Sequence, residues 1–191
     1  MKTRFFTGHG DKGQSAFGNK RIGKDDALFE LLGNLDELNS WIGLCAVEAK
    51  KTLSKKKAGS LIFESLEHLQ EDLFIAQAEA AAVGFSYSMK AIPRITEAKT
   101  ARLEHAIQKI DAILPTLRNF VLPGGSELSA MLDIARAISR RAERSAVAFG
   151  KRAAFSKEFL QFMNRLSSAL FALARFANYV LRVKEKNPKY K

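Results

Sequence analysis

With 191 residues, 47% of them hydrophobic and 27% charged, the chain is long and apolar enough for one sizeable core, and nothing in it reads as fibrous or disordered. Its single cysteine, Cys45, excludes an internal disulfide, and the most apolar stretch, "LFALARFANYVL", is interrupted by Arg175 and too short to span a bilayer. The net charge of +11 favours an anionic partner, which leaves a nucleic acid, a nucleotide or a plain basic surface open.

The N-terminus, "MKTRFFTGHGDKG", lacks the apolar core of a signal peptide, so a cytoplasmic protein is expected. Residues 1–24 are glycine-rich and polar and read as a loop with at most short extended pieces. A first helix is predicted from Asp25 or Asp26 as N-cap, with Leu28, Leu31, Leu32, Leu35, Leu38, Ile42 and Leu44 at helical spacing. The lysine-rich "KKTLSKKKAG" breaks it. A second helix runs roughly from Ser60 to Val83, with Leu61, Leu66, Leu69, Leu73 and Phe74 facing inward. After the loop "GFSYSMKAIPR", Thr96 caps a third helix that Pro115 closes. "RNFVLPGG" is a short tight segment, and Ser126 opens a fourth helix reaching about Phe149. A fifth extends from near Ser156 to Val183 and frays into a basic tail, 184–191. The expectation is a single all-α domain, 1–191, built as a five-helix up-and-down bundle over 25–183.

Two helices carry charges a plain bundle does not need. On the fourth, Asp133, Arg136, Arg140, Glu143 and Arg144 recur every three or four residues and share one side, while Arg141 points elsewhere. Successive arginines on that side stand roughly 6 Å apart, so two of them could hold separate phosphates of a triphosphate. The alternative is a solvated stripe of weak salt bridges. On the fifth, Asn164, Ser168, Phe171, Arg175 and Asn178 thread an apolar segment, with Arg165 beside Asn164. Buried asparagine and arginine need partners, supplied either by a ligand or by an intersubunit hydrogen-bond network.

The N-terminal "GDKG" offers close backbone approach and free N–H groups to phosphate oxygens. It is neither a P-loop nor a dinucleotide fingerprint. Lys24 beside Asp25 and Asp26 adds a cation at a helix start. No Glu-x-x-His pair supports a di-iron centre, and with His9, His68 and His105 scattered no zinc site is legible. No nucleophile–base pair stands out, and Cys45 reads as core packing. Basic residues alternate with aliphatics rather than exposed aromatics, which argues against a platform for single-stranded nucleic acid.

The segments "GDKGQSAFG…RIGKDD", "GNLDELNSWIGL", "NFVLPGG", "ARAISRRAER" and "FMNRLSSALFALAR" follow the order found in PduO-type ATP:cob(I)alamin adenosyltransferases, and the chain resembles that family over nearly its whole length. The resemblance implies a homotrimer with active sites between subunits, transfer of the 5′-deoxyadenosyl group of ATP to the Co(I) of a corrinoid such as cobalamin, and release of triphosphate. It implies Thr7, Gly10, Asp11, Gly13, Ser15, Lys24 and Asp25 near the nucleotide. Arg136, Arg140, Glu143 and Asn164 would contact ATP or its Mg²⁺, with Arg165 close by. Asp36 would pair with Arg136 across the subunit boundary, and Phe120 would occupy the lower axial side of cobalt. A reductase would supply the electron, and an adenosylcobalamin-dependent client would take the product. No protein nucleophile is needed, because Co(I) itself attacks C5′. The chain also differs from the family pattern: His9 precedes "GD", the loop "GQSAFG" is one residue short, and Ser168 replaces an aspartate. A non-catalytic ATP or adenosylcobalamin carrier is therefore the alternative from another class, followed by a basic nucleic-acid-binding bundle.

Overall fold

The computed structural model describes residues 5–17, 19–88, 90 and 92–190. Five helices account for most of them: α1 (Ala27–Leu53), α2 (Gly59–Gly84), α3 (Glu97–Asp111), α4 (Glu127–Phe149) and α5 (Lys157–Leu181). α1 starts where the Asp26 side chain accepts from the Leu28 amide at 2.9 Å. Ser126 and Ser156 cap α4 and α5 in the same way, accepting from the amides of Ser129 and Phe159. Thr96 has the extended backbone of an N-cap, but its side chain makes no capping bond. Arg182, at φ 59°, ends α5 in the left-handed conformation.

One stripe of α1, from Leu28 through Leu31, Leu35, Leu38, Ile42 and Cys45 to Ala49, is wholly buried, the helical period expected of a core-facing side. α1 packs against both α2 and α4, α4 against α5, and α5 against α3; smaller contacts of α2 with α3 and α5 complete the bundle. The expected inward position of Phe74 is corrected: its neighbour Leu73 is fully buried, and the 100° step per residue leaves Phe74 65% exposed. Leu44 likewise lies on the outer side of α1. Buried carboxylates tie the periphery to the core. Asp72 on α2 accepts from Lys99 and Arg102 of α3, and Glu79 accepts from the Ile95 amide and the Ser156 hydroxyl.

The N-terminal segment is more ordered than a loop. β1 (Gln14–Phe17) and β2 (Lys20–Gly23) form an antiparallel hairpin, with Ser15 opposite Ile22 and Ala16 opposite Arg21. It docks on the end of α2: Ile22 packs on the core, and Lys20 donates to the Phe85 carbonyl beside the Tyr87 ring. Among the described residues no helix is long and apolar enough to cross a membrane.

Candidate active site

The "PGG" turn before α4 fixes how the arginine face is presented. Gly124 and Gly125 adopt φ 113° and 105°, a region side chains rarely enter, and a Cβ on Gly125 would come within 2.7 Å of the Asn178 amide. Asn178, buried on α5, accepts from the Ser126 amide and hydroxyl at 2.8 and 2.9 Å and donates to the Gly124 carbonyl at 2.9 Å. The Asp133 carboxylate accepts from the Gly124 amide and from Arg136 Nε, at 3.1 and 3.0 Å. Turn, α4 and α5 are thereby wired together, and Asn178 is a structural group rather than a ligand contact. Arg175 is also satisfied inside the chain, by Glu185 and the Pro115 carbonyl. The polar stripe of α5 thus divides, its C-terminal half consumed by the fold.

Its N-terminal half opens onto a cavity of about 360 Å³. Arg136 and Arg140 of α4, Ser168 and Phe171 of α5, and Leu117 and Phe120 of the preceding loop line it. Arg136 is held by Asp133 through Nε, which leaves its terminal nitrogens to point onward. The Arg140 guanidinium makes no hydrogen bond or ion pair among the described residues, and Phe120 is 78% exposed. Further along the same face, Asn164 donates to Glu143 at 2.8 Å and accepts from Arg165, which donates in turn to Glu104 of α3 at 2.7 Å. Nothing in the local sequence marks Glu104; only the packing of α3 on α5 brings it to Arg165. Arg141 lies off this face, as its position predicts, and donates to Asn34 and Glu37 of α1.

The remaining expected residues gather elsewhere. Gly10, Asp11 and Gly13 lie in consecutive turns just after Thr7, in which the Asp11 amide donates to the Gly8 carbonyl and the Gly13 amide to that of Gly10. The Lys24 amide donates to Gly13 at 2.8 Å, and its ammonium lies over Gly10. Asp25 immediately follows β2. Ser15 of the hairpin and Asp36 of α1 border a second cavity of about 650 Å³, with Phe29, Phe74 and Gln77. The Gln77 side-chain nitrogen is buried there without a partner. The two cavities share no lining residue, so one chain presents the expected site as two separate halves. Among the described residues no three His, Cys, Asp or Glu converge on a metal-sized space. Cys45 is buried, which pushes its thiol up to about 12.

Residues 5–177 match the family model for cobalamin adenosyltransferase. The chain belongs to the cobalamin adenosyltransferase family. It is similar to the corrinoid adenosyltransferase of Bacillus subtilis, 38% identical over 92% of this chain and 86% of that one. Cobalamin adenosyltransferase from Cupriavidus metallidurans is 36% identical over 92% and 89%. Among solved structures, a variant of the PduO-type ATP:corrinoid adenosyltransferase from Lactobacillus reuteri, complexed with cobalamin and ATP, superposes with TM-score 0.83 at 32% identity, covering 98% of this chain and 97% of that one. As a corrinoid adenosyltransferase the chain is an enzyme whose reaction calls for phosphate-binding cations and an apolar face for a macrocycle. The α4–α5 cavity brings those residue types together.

Proposed function

We propose that the α4–α5 cavity of one protomer and the N-terminal hairpin of an adjacent protomer together form the site at which this adenosyltransferase moves the 5′-deoxyadenosyl group from ATP to the Co(I) of a corrinoid. In that transfer a Co–C5′ bond forms as the C5′–O bond breaks, and triphosphate departs with the electron pair of the broken bond. The single observation that carries the reading is the company Arg140 keeps: a guanidinium unpaired among the described residues, beside Arg136 and an exposed Phe120 in one cavity. A free, ionised donor at the edge of an apolar pocket is suited to charge that grows on a leaving phosphate.

In this reading Arg136 and Arg140 take phosphate oxygens, and Glu143, Asn164 and Arg165 hold the far end of the nucleotide. The loop at Thr7, Gly10, Asp11 and Gly13 brings the backbone close to the nucleotide, with Ser15, Lys24 and Asp25 beside it; the Asp11 and Gly13 amides are engaged within the loop and hold its shape. Asp36 of the adjacent protomer meets the terminal nitrogens of Arg136 that Asp133 leaves free. Phe120 covers the lower face of the corrin, keeps water and the lower ligand from cobalt and so eases reduction of Co(II). Among the described residues no carboxylate cluster gathers around a metal-sized space; Mg²⁺ enters this reading as a counter-ion carried on the phosphates near Glu143 and Asn164, where it neutralises charge. Disjoint half-sites are what a closed ring of like subunits would complete, and a homotrimer is the assembly proposed. A cytoplasmic reductase and a client that consumes adenosylcobalamin complete the scheme.

The test is an anaerobic assay with ATP, Mg²⁺ and cob(I)alamin, followed by the absorbance of Co–C bond formation. Arg140→Ala is expected to lower turnover at least about tenfold, the scale of one charge-assisted contact. Full activity in that variant removes its assigned role.

A further inference from the structure

Phe120 sits on a connection, residues 115–122, that has no helix or strand of its own. Something else must fix it, and the hydrogen bonds show what does. Arg175 grips Glu185 with two nitrogens, Nε to Oε1 at 3.0 Å and Nη2 to Oε2 at 3.1 Å. The same Nη2 donates to the Pro115 carbonyl at 3.2 Å. One residue past Glu185, the Lys186 carbonyl accepts from the Leu122 amide at 2.8 Å, and the Asn187 side-chain amide donates to the Phe120 carbonyl at 2.8 Å. Among the described residues, every backbone hydrogen bond of 115–122 runs to Arg175 or to this tail. The tail expected to fray is a strap across the loop that presents Phe120.

We propose that Glu185 and Asn187 are positioning residues for the corrinoid half of the reaction: Glu185 locks the tail onto α5 through Arg175, and Asn187 sets the height and tilt of Phe120 through its carbonyl. Neither touches the arginine-lined cavity, which Phe120 borders on one side while Asn187, Pro188 and Tyr190 border a separate hollow of about 590 Å³ on its other side. The pair is built to hold. The Arg175 side chain is only 10% exposed and that of Glu185 24%, so the contact is bidentate and largely shielded from solvent. The proposal rests on the reading of Phe120 as the cover for the lower face of the corrin, and it adds which residues keep that cover in place.

Three variants of the full-length protein test it: Glu185→Gln, Asn187→Ala and Phe120→Ala. For each, kcat, the KM values for cobalamin and ATP, thermal melting, and the spectrum of bound Co(II) cobalamin are measured; that spectrum reports whether the lower axial ligand has left. Loss of alignment at a reacting centre costs roughly one to two orders of magnitude. Glu185→Gln and Asn187→Ala are therefore expected to lower kcat about tenfold and shrink the fraction lacking the lower ligand, with KM for ATP unchanged. Asn187 is exposed, so its variant keeps the melting temperature of the parent and separates positioning from folding. If both strap variants retain the parent's kcat and spectrum while Phe120→Ala loses them, the strap has no such role. If Phe120→Ala itself behaves as the parent, the assignment of Phe120 falls, and the inference with it.

Discussion

Arg140 and Arg141 are neighbours in sequence and opposites in structure. A rotation of 100° gives Arg141 to Asn34 and Glu37 of α1, where it joins helices, and turns Arg140 to the α4–α5 cavity, where its guanidinium has no partner among the described residues. That separation was legible from spacing alone, because side-chain direction on a long helix follows residue number. The fates of Asn178 and Arg175 were not legible. Both read as polar residues in need of partners, yet their partners lie 52 to 60 residues upstream or in the tail, and only the fold brings these together. Cys45 was expected to be core, and its burial has a thermodynamic consequence. Its thiol is raised from 9.0 to about 12, so the folded state holds a proton that the unfolded state releases above pH 9. The stabilisation from that neutral thiol is complete below pH 9 and is lost as pH rises toward 12. Urea unfolding of the parent should therefore weaken more steeply above pH 9 than that of Cys45→Ala; parallel pH profiles would contradict the assignment.

The helices themselves are readable because caps and periodicity agree: Asp26, Ser126 and Ser156 stand where side-chain caps are found, and the buried stripe of α1 keeps its period for about six turns. What the pattern missed was set by tertiary contact. The β1–β2 hairpin is short, with Ile22 as a half-buried apolar anchor, so its alternation is too weak to distinguish from a loop, and it is held by docking on Phe85. Phe74 went astray for a related reason, since Leu73 and Phe74 are equally apolar and only the helix phase chooses between them. The "PGG" turn shows how one connection sets the phase of α4. Gly125→Ala would force a side chain into φ 105° and against Asn178, and unfolding in urea should register a loss of about 2 kcal/mol or more. A variant as stable as the parent would mean that the turn does not anchor α4.

Across the whole molecule, the notable feature is separation. Cations suited to phosphate line a cavity between α4 and α5, whereas the glycine turns and Asp36 gather around the hairpin, α1 and α2. The net charge of +11 is spread through lysine-rich connections and the tail as well as α4, which fits a surface bathed in solvent around one concentrated anion site better than a nucleic-acid track. Family membership is visible in motif order, and with it the expectation of a site shared between subunits; which residues of one chain line which cavity is not, because it depends on how the helices pack. The most direct measurement is complementation. Arg140→Ala disables one half-site and Asp36→Ala the other, and the two inactive variants are co-expressed and purified as a mixed oligomer. With each site drawn from two chains, random mixing should restore about a quarter of parental adenosyltransferase activity per site. Activity no higher than that of the two variants alone, or a single-chain mass in sedimentation, would contradict a shared site.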